Sequence, residues 1–177
     1  MKKEFEKRIL SSLILIPVSF FFIIKGSFFF NFFLIICIAV ALYEWHMMSK
    51  KKIYYPFGIL FLIFSFYTAY FFREDSLWAF LFIIIICIST DMGGYIFGNL
   101  FKGPKLTKIS PKKTYSGLIG GYIFSIIFVN IFLNYSYLIN SNKIEFDMLI
   151  FVLIMLISSS SQVGDIIISY FKRLSKI

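Results

Sequence analysis

The stretch Leu81-Phe82-Ile83-Ile84-Ile85-Ile86 consists of six consecutive apolar residues. In lipid, such a segment must satisfy its own backbone hydrogen bonds, and only an α-helix does so within one segment. A membrane β-barrel would instead show polar and apolar residues alternating over about ten positions. The stretch does not alternate, so it predicts a membrane-spanning helix.

The same kind of segment recurs along the 177 residues, of which 59% are hydrophobic and only 15% charged. A spanning helix needs about 20 mostly apolar residues, because the hydrocarbon core is roughly 30 Å thick. Six segments approach that length, at about residues 9–24, 27–47, 53–72, 77–100, 118–139 and 146–171. We therefore expect an all-α, polytopic membrane helix bundle of about six transmembrane helices, forming a single transmembrane domain over residues 1–177.

Two features of composition exclude other classes of protein. The net charge of +9 suggests nucleic acid at first. However, Lys and Arg fall almost wholly in short segments beside apolar runs, which is typical of membrane orientation, so we expect no nucleic-acid partner. Cys37 and Cys87 lie inside apolar runs without CxxC or Cys/His spacing, which indicates neither a disulfide framework nor a zinc site.

The distribution of Lys and Arg also predicts the topology. In a six-span arrangement with both termini on one side, that side carries fifteen basic residues: Lys2, Lys3, Lys7, Arg8, Lys50, Lys51, Lys52, Lys102, Lys105, Lys108, Lys112, Lys113, Lys172, Arg173 and Lys176. The other side carries three: Lys25, Arg73 and Lys143. The positive-inside rule therefore places both termini in the cytoplasm. The N-terminal segment has no small-residue cleavage site, so we expect it to remain as a membrane anchor.

Two acids within the predicted spans are candidate functional residues, because an ionisable side chain near the bilayer centre costs at least about 2.5 kcal/mol. Asp91 precedes Gly93 and Gly94, and Asp165 follows the run Ser158-Ser159-Ser160-Ser161-Gln162-Val163-Gly164. Small residues let helices approach closely, so the two acids predict a polar pocket between spans. Each acid could instead cap or pair locally, Asp165 with Lys172 or Arg173.

The longest polar connection runs from residue 101 to residue 117 and contains Gly103-Pro104-Lys105-Leu106-Thr107-Lys108-Ile109-Ser110-Pro111-Lys112-Lys113-Thr114-Tyr115-Ser116-Gly117. Lysine supplies a mobile charge for phosphate oxygens, and Ser or Thr hydroxyls can hydrogen bond to them. The same lysines could equally be a topology determinant that contacts anionic lipid headgroups. Both interpretations stay open on charge alone.

Three stretches, taken in order, resemble the phosphatidate cytidylyltransferases, also called CDP-diglyceride synthases. They are Asp91-Met92-Gly93-Gly94-Tyr95-Ile96-Phe97-Gly98, then Ser110-Pro111-Lys112-Lys113-Thr114-Tyr115-Ser116-Gly117, then Gly164-Asp165 with Ser169 and Lys172-Arg173. The resemblance extends from about residue 42 to residue 177, and the Ser-Pro-Lys-Lys-Thr run is its most specific part.

The resemblance implies an enzyme of phospholipid biosynthesis in a bacterial inner membrane, with CTP, phosphatidic acid and membrane lipids as partners. It would transfer the cytidylyl group of CTP to phosphatidic acid, giving CDP-diacylglycerol and pyrophosphate. Roles follow by resemblance: Asp165 would hold Mg²⁺, and Asp91 would shape the polar pocket or support the metal. Lys112 and Lys113 would steady the triphosphate, and Ser110, Thr114, Lys172 and Arg173 would bind substrate. A homodimer is compatible with the sequence, which does not fix the oligomeric state.

The sequence also departs from the family pattern. The pattern has Glu at the positions of Ser116 and Ile168, and it continues beyond Lys172-Arg173 into a segment with His-Gly-Gly and further acids. We therefore expect a chain that lacks the C-terminal part of the motif. The alternative functions are a catalytically inactive membrane remnant and a lipid-binding or scaffold protein. A small transporter would explain the two acids but not the lysine loop.

Overall fold

A computed structural model describes residues 15–50, 52–107, 110, 113–140 and 146–175. Its helices are α1 (Leu15–Lys25), α2 (Ser27–Ser49), α3 (Tyr55–Asp75), α4 (Leu77–Phe101), α5 (Tyr115–Asn140) and α6 (Met148–Leu174). Helices α2 to α6 are each long and apolar enough to cross a membrane, and α1 is a shorter apolar helix. The predicted all-α membrane fold is confirmed, and the chain is an integral membrane protein.

The chain forms two compact units, Met1–Leu77 and Trp78–Ile177. The prediction of a single transmembrane domain stays a prediction. Within the described residues of the second unit, the only pairing of β type is one isolated bridge between Lys105 and Thr114.

In the first unit, Arg73 joins α3 to the end of α1. Its guanidinium donates hydrogen bonds to the carbonyl oxygen of Ile23 at 3.0 and 3.1 Å, and it lies 5.5 Å from the centre of the Phe30 ring. The last carbonyls of a helix have no partner within the helix, so this contact caps α1. The chain turns immediately afterwards at Gly26, whose φ of 66° is unfavourable for residues with a Cβ.

Trp45 and His46, at the other end of α2, contact the start of α3. The indole of Trp45 donates to the Tyr55 carbonyl oxygen at 3.0 Å, and the His46 ring lies 3.0 Å from the Tyr55 hydroxyl. The absence of a side chain at Gly58 makes room for the indole, since a Cβ there would overlap it. Hydrogen bonds of the Trp45 and His46 side chains thus hold the α2–α3 hairpin together at its turn.

The second unit has an aliphatic core made by α4, α5 and α6. Ile86, Val129, Leu133 and Ile154 are buried together. In a membrane, lipid solvates aliphatic side chains as well as a neighbouring helix does, so helix association depends on close packing and polar contacts. These four residues therefore contribute van der Waals contact and leave the specificity of assembly to the glycines and hydroxyls nearby.

Glycines bring α4 and α5 into backbone contact. A Cβ on Gly93 would overlap the Gly120 carbonyl oxygen, and a Cβ on Gly117 would lie 2.7 Å from the Gly94 carbonyl oxygen. Small residues at a helix crossing permit this approach. The crossing places the start of α5, and the loop before it, beside the C-terminal part of α4, where a Cβ on Gly98 would lie 3.1 Å from the Thr114 hydroxyl oxygen.

Gly120→Ala should lower the free energy of unfolding by about 1–3 kcal/mol, because the new methyl group would overlap Phe97 and lie 2.8 Å from the Gly93 carbonyl oxygen. The matched control is Gly164→Ala on α6, where a Cβ meets nothing within 4 Å. This control should be neutral or stabilising by up to about 1 kcal/mol, as expected from helix propensity. Thermal unfolding in detergent measures both. Equal stability of the two variants would contradict the described crossing.

Candidate functional site

The loop before α5 is held in a defined turn by its own backbone. Leu106 N–H donates to the Lys113 carbonyl oxygen at 2.8 Å, and Lys113 N–H donates to the Ser110 carbonyl oxygen at 3.0 Å. The Ser110 N–H in turn donates to the Thr107 hydroxyl at 3.1 Å. These bonds fix the backbone of Lys113 and leave its side chain to reach outward.

Thr114 is the N-cap of α5. Its hydroxyl accepts the Gly117 N–H at 3.1 Å and lies 3.0 Å from the Ser116 hydroxyl. A threonine in this position satisfies an amide that has no partner within the helix. The positive end of the α5 dipole therefore lies beside Lys113, and both favour an anion.

The lysine of this loop reaches α6. Lys113 Nζ lies 2.8 Å from Asp165 Oδ2 and donates to the Gln162 carbonyl oxygen at 3.3 Å. The Lys113 side chain is 26% exposed and that of Asp165 is 55% exposed. The partner of Asp165 is thus a residue 52 positions earlier, on a different element from the Lys172-Arg173 pair.

A cavity of about 220 Å³ opens around this ion pair. Its wall combines α4, the loop, the start of α5 and α6. It is lined by Thr90, Asp91, Gly94, Tyr95, Leu106, Lys113, Thr114, Gly117, Leu118, Gln162 and Asp165. The charged lining is therefore two carboxylates and one ammonium group.

Pairs of hydroxyl groups next to the cavity connect α6 to α4 and to α5. The buried hydroxyls of Thr90 on α4 and Ser158 on α6 are 2.9 Å apart. The hydroxyls of Tyr122 on α5 and Ser159 on α6 are 2.8 Å apart. The serine run predicted to allow close approach thus also fastens α6 to both neighbours.

The structure brings together four of the predicted site residues, Asp91, Asp165, Lys113 and Thr114, in the cavity wall. The cavity lining does not include Ser110, which lies in the turn, or Lys172 and Arg173, which lie in the last turn of α6. Lys112 lies outside the described residues.

Gln162 is a lining residue to which sequence analysis assigned no role. The sequence did contain an indication of this role, because Gln162 is a polar amide in an apolar helix, three positions before Asp165. Residues three apart share a face of a helix, so the position of Asp165 could have indicated it. Leu106 and Leu118 carried no such signal, because nothing distinguishes them from other leucines of the chain.

Comparison with known proteins identifies a family whose match includes the residues of the cavity. The profile of the Cytidylyltransferase family matches residues 51–177, which include the whole cavity lining. The chain belongs to the cytidylyltransferase family. No solved structure matches it significantly.

Its relatives in the cytidylyltransferase family include curated proteins of several bacteria. A phosphatidate cytidylyltransferase of Rickettsia felis is 33% identical over 184 residues, covering 97% of this chain and 78% of the relative. That of Rickettsia bellii is 32% identical, with 97% of this chain and 77% of the relative covered. That of Staphylococcus haemolyticus is 36% identical over 105 residues, covering 57% and 37% respectively.

The Thr90–Ser158 contact generates a prediction for the cavity floor. Thr90→Val and Ser158→Ala should each destabilise the protein, and a double-mutant cycle should give a coupling of about 0.6 kcal/mol, a typical value for a hydrogen bond between membrane helices. The cycle is measured by unfolding in detergent. Additive effects of the two substitutions would contradict a direct hydrogen bond.

Proposed function

We propose that this chain is a phosphatidate cytidylyltransferase, which transfers the cytidylyl group of CTP to phosphatidic acid. The observation that supports this most directly is the convergence of Lys113, Asp91 and Asp165 on one cavity of a chain in the cytidylyltransferase family. Relatives of which this chain covers more than three quarters carry that enzyme's name.

The chemistry requires two very different substrates to meet. CTP is water-soluble and strongly anionic, whereas phosphatidic acid is held in the bilayer. Lys113 and the N-terminal end of α5 offer positive potential to the triphosphate. The membrane helices that carry Asp91 and Asp165 keep the same cavity within reach of a lipid headgroup.

In the proposed reaction, an oxygen of the lipid phosphate attacks the α-phosphorus of CTP. The new bond joins this oxygen to the α-phosphorus, and the bond from the α-phosphorus to the bridging oxygen of the β-phosphate breaks. Pyrophosphate leaves with that oxygen and its electron pair. The phosphate nucleophile needs no covalent help from a side chain, so positioning and charge neutralisation are what the protein contributes.

The acids of the cavity fit a divalent cation, and we propose Mg²⁺. Among the described residues, no group of three or more His, Cys, Asp or Glu side chains is placed to hold a metal ion. Asp91 and Asp165 nevertheless both line the cavity, and Mg²⁺ commonly uses one or two carboxylates together with substrate phosphates and water. Asp165 would be the principal ligand. When bound, the ion would neutralise charge on the phosphates.

The remaining predicted residues have supporting roles in the proposal. Ser110 shapes the turn that holds Lys113, and Thr114 caps the helix that follows it. Lys112, adjacent in sequence, adds positive charge. Lys172 and Arg173, in the last turn of α6, favour anionic lipid headgroups at the membrane surface.

Asp165→Asn should lower cytidylyl transfer by at least about 100-fold, because it removes the negative charge that would face the cation in the proposed reaction. The assay is conversion of labelled CTP and phosphatidic acid to CDP-diacylglycerol by the purified protein with Mg²⁺. The matched control is Asp147→Asn at the opposite end of α6, where Asp147 caps the helix and Asn caps equally well. Turnover of Asp165→Asn equal to that of the control would contradict the proposal.

The proposed location is a bacterial inner membrane with both termini in the cytoplasm. The test uses the full chain with Cys37 and Cys87 replaced by Ser and one cysteine introduced, either Lys105→Cys or Lys143→Cys. A membrane-impermeant maleimide added outside intact cells should label only the second variant, because Lys105 belongs to the basic side and Lys143 to the other. Labelling of Lys105→Cys alone would reverse the topology.

A further inference from the structure

The ion pair in the cavity joins two groups that the proposed reaction needs separately. Lys113 Nζ lies 2.8 Å from Asp165 Oδ2. In the proposed function, the ammonium group faces phosphate and the carboxylate faces a divalent cation. In the ion pair, the Lys113 ammonium group therefore occupies the place of the cation beside Asp165. The Asp165 carboxylate likewise occupies the place of the phosphate beside Lys113.

We propose that Lys113 is an internal counter-ion that blocks the cation site at Asp165 until a triphosphate draws the lysine away. Metal and nucleotide then bind together, and free divalent cation alone binds weakly. This inference rests on the proposed function of the site, and it adds a mode of regulation to it.

The charges in the cavity support this coupling. Asp91 and Asp165 supply two negative charges and Lys113 one positive charge. With the ion pair intact, a divalent cation meets one net negative charge and an adjacent ammonium group that repels it. When the lysine moves to a phosphate, the cation meets two carboxylates and the phosphate oxygens themselves.

The local geometry allows the lysine to move without unfolding the loop. The backbone of Lys113 is fixed on both sides by hydrogen bonds, to Leu106 N–H and to the Ser110 carbonyl oxygen. Among the described residues, the ammonium group contacts Asp165 and donates one 3.3 Å bond to the Gln162 carbonyl oxygen. A lysine side chain is a flexible stem with a mobile charge, so rotation about its side-chain bonds suffices for the exchange.

Replacing Lys113 should therefore have opposite effects on the two ligands. Without the ammonium group, Asp165 is available and affinity for the cation alone rises. Affinity for the triphosphate falls, because it loses a charged donor. Cooperativity between metal and nucleotide should fall in both directions, since coupling between two ligands is reciprocal.

The experiment measures Mn²⁺ binding by electron paramagnetic resonance on the purified full chain in detergent, without phosphatidic acid and therefore without turnover. Lys113→Met should bind Mn²⁺ alone at least about tenfold more tightly than the wild type. Added CTP should increase Mn²⁺ affinity in the wild type, and this increase should be at least about tenfold smaller in Lys113→Met. Lys113→Gln should behave in the same way and serves if the methionine variant does not fold.

Two controls separate the proposed exchange from a general effect of charge. Lys105→Met removes one positive charge from the same loop at an exposed position and should leave Mn²⁺ affinity unchanged. The double variant Lys113→Met/Asp165→Asn should lose the gain, because the cation would then lack its released carboxylate. Equal Mn²⁺ affinity in Lys113→Met and wild type, or a gain that persists in the double variant, would overturn the inference.

The outcomes also distinguish this inference from the proposed function. A wild-type protein that fails to make CDP-diacylglycerol, while Lys113→Met still shows the gain in Mn²⁺ affinity, would count against the enzyme and support the exchange. An active wild type whose Mn²⁺ affinity is insensitive to Lys113 would support the enzyme and overturn the exchange.

Discussion

The ion pair between Lys113 and Asp165 connects the polar loop before α5 to the membrane helix α6. A carboxylate in such a place is costly unless an opposite charge or water compensates it. Lys113 supplies that charge only because the loop turn fixes its backbone and Thr114 starts α5 immediately after it. The position of the loop in turn depends on the glycines that let α5 lie against α4.

The shape of the cavity therefore depends on how closely α4, α5 and α6 pack against one another. Backbone contact at Gly93 and Gly120 sets the distance between α4 and α5, and paired hydroxyls set α6 against both. The aliphatic core fills the space between the three helices without choosing their orientation. A polar site in a membrane protein of this kind is specified by its small and hydroxylated residues more than by its many large apolar ones.

Much of this was accessible from sequence. Apolar length alone gave the spanning helices, and the cost of charge in lipid identified Asp91 and Asp165 as residues of one pocket. The Lys113–Asp165 pairing was not accessible, because local spacing pointed equally to Lys172 or Arg173 on the same helix. Only the fold shows that the loop returns to α6. The prediction for Thr114 was also incomplete. Its N-cap bond to Gly117 depends on where α5 begins, which the structure shows.

The cap on α1 has a consequence for how the protein is made. The carbonyl oxygen of Ile23 receives its hydrogen bonds from Arg73, a residue 50 positions later in the chain. During synthesis, the first two helices emerge before that guanidinium exists, so water or another donor must serve the carbonyl in the interval. The turn at Gly26 therefore reaches its final contacts only after α3 has been translated.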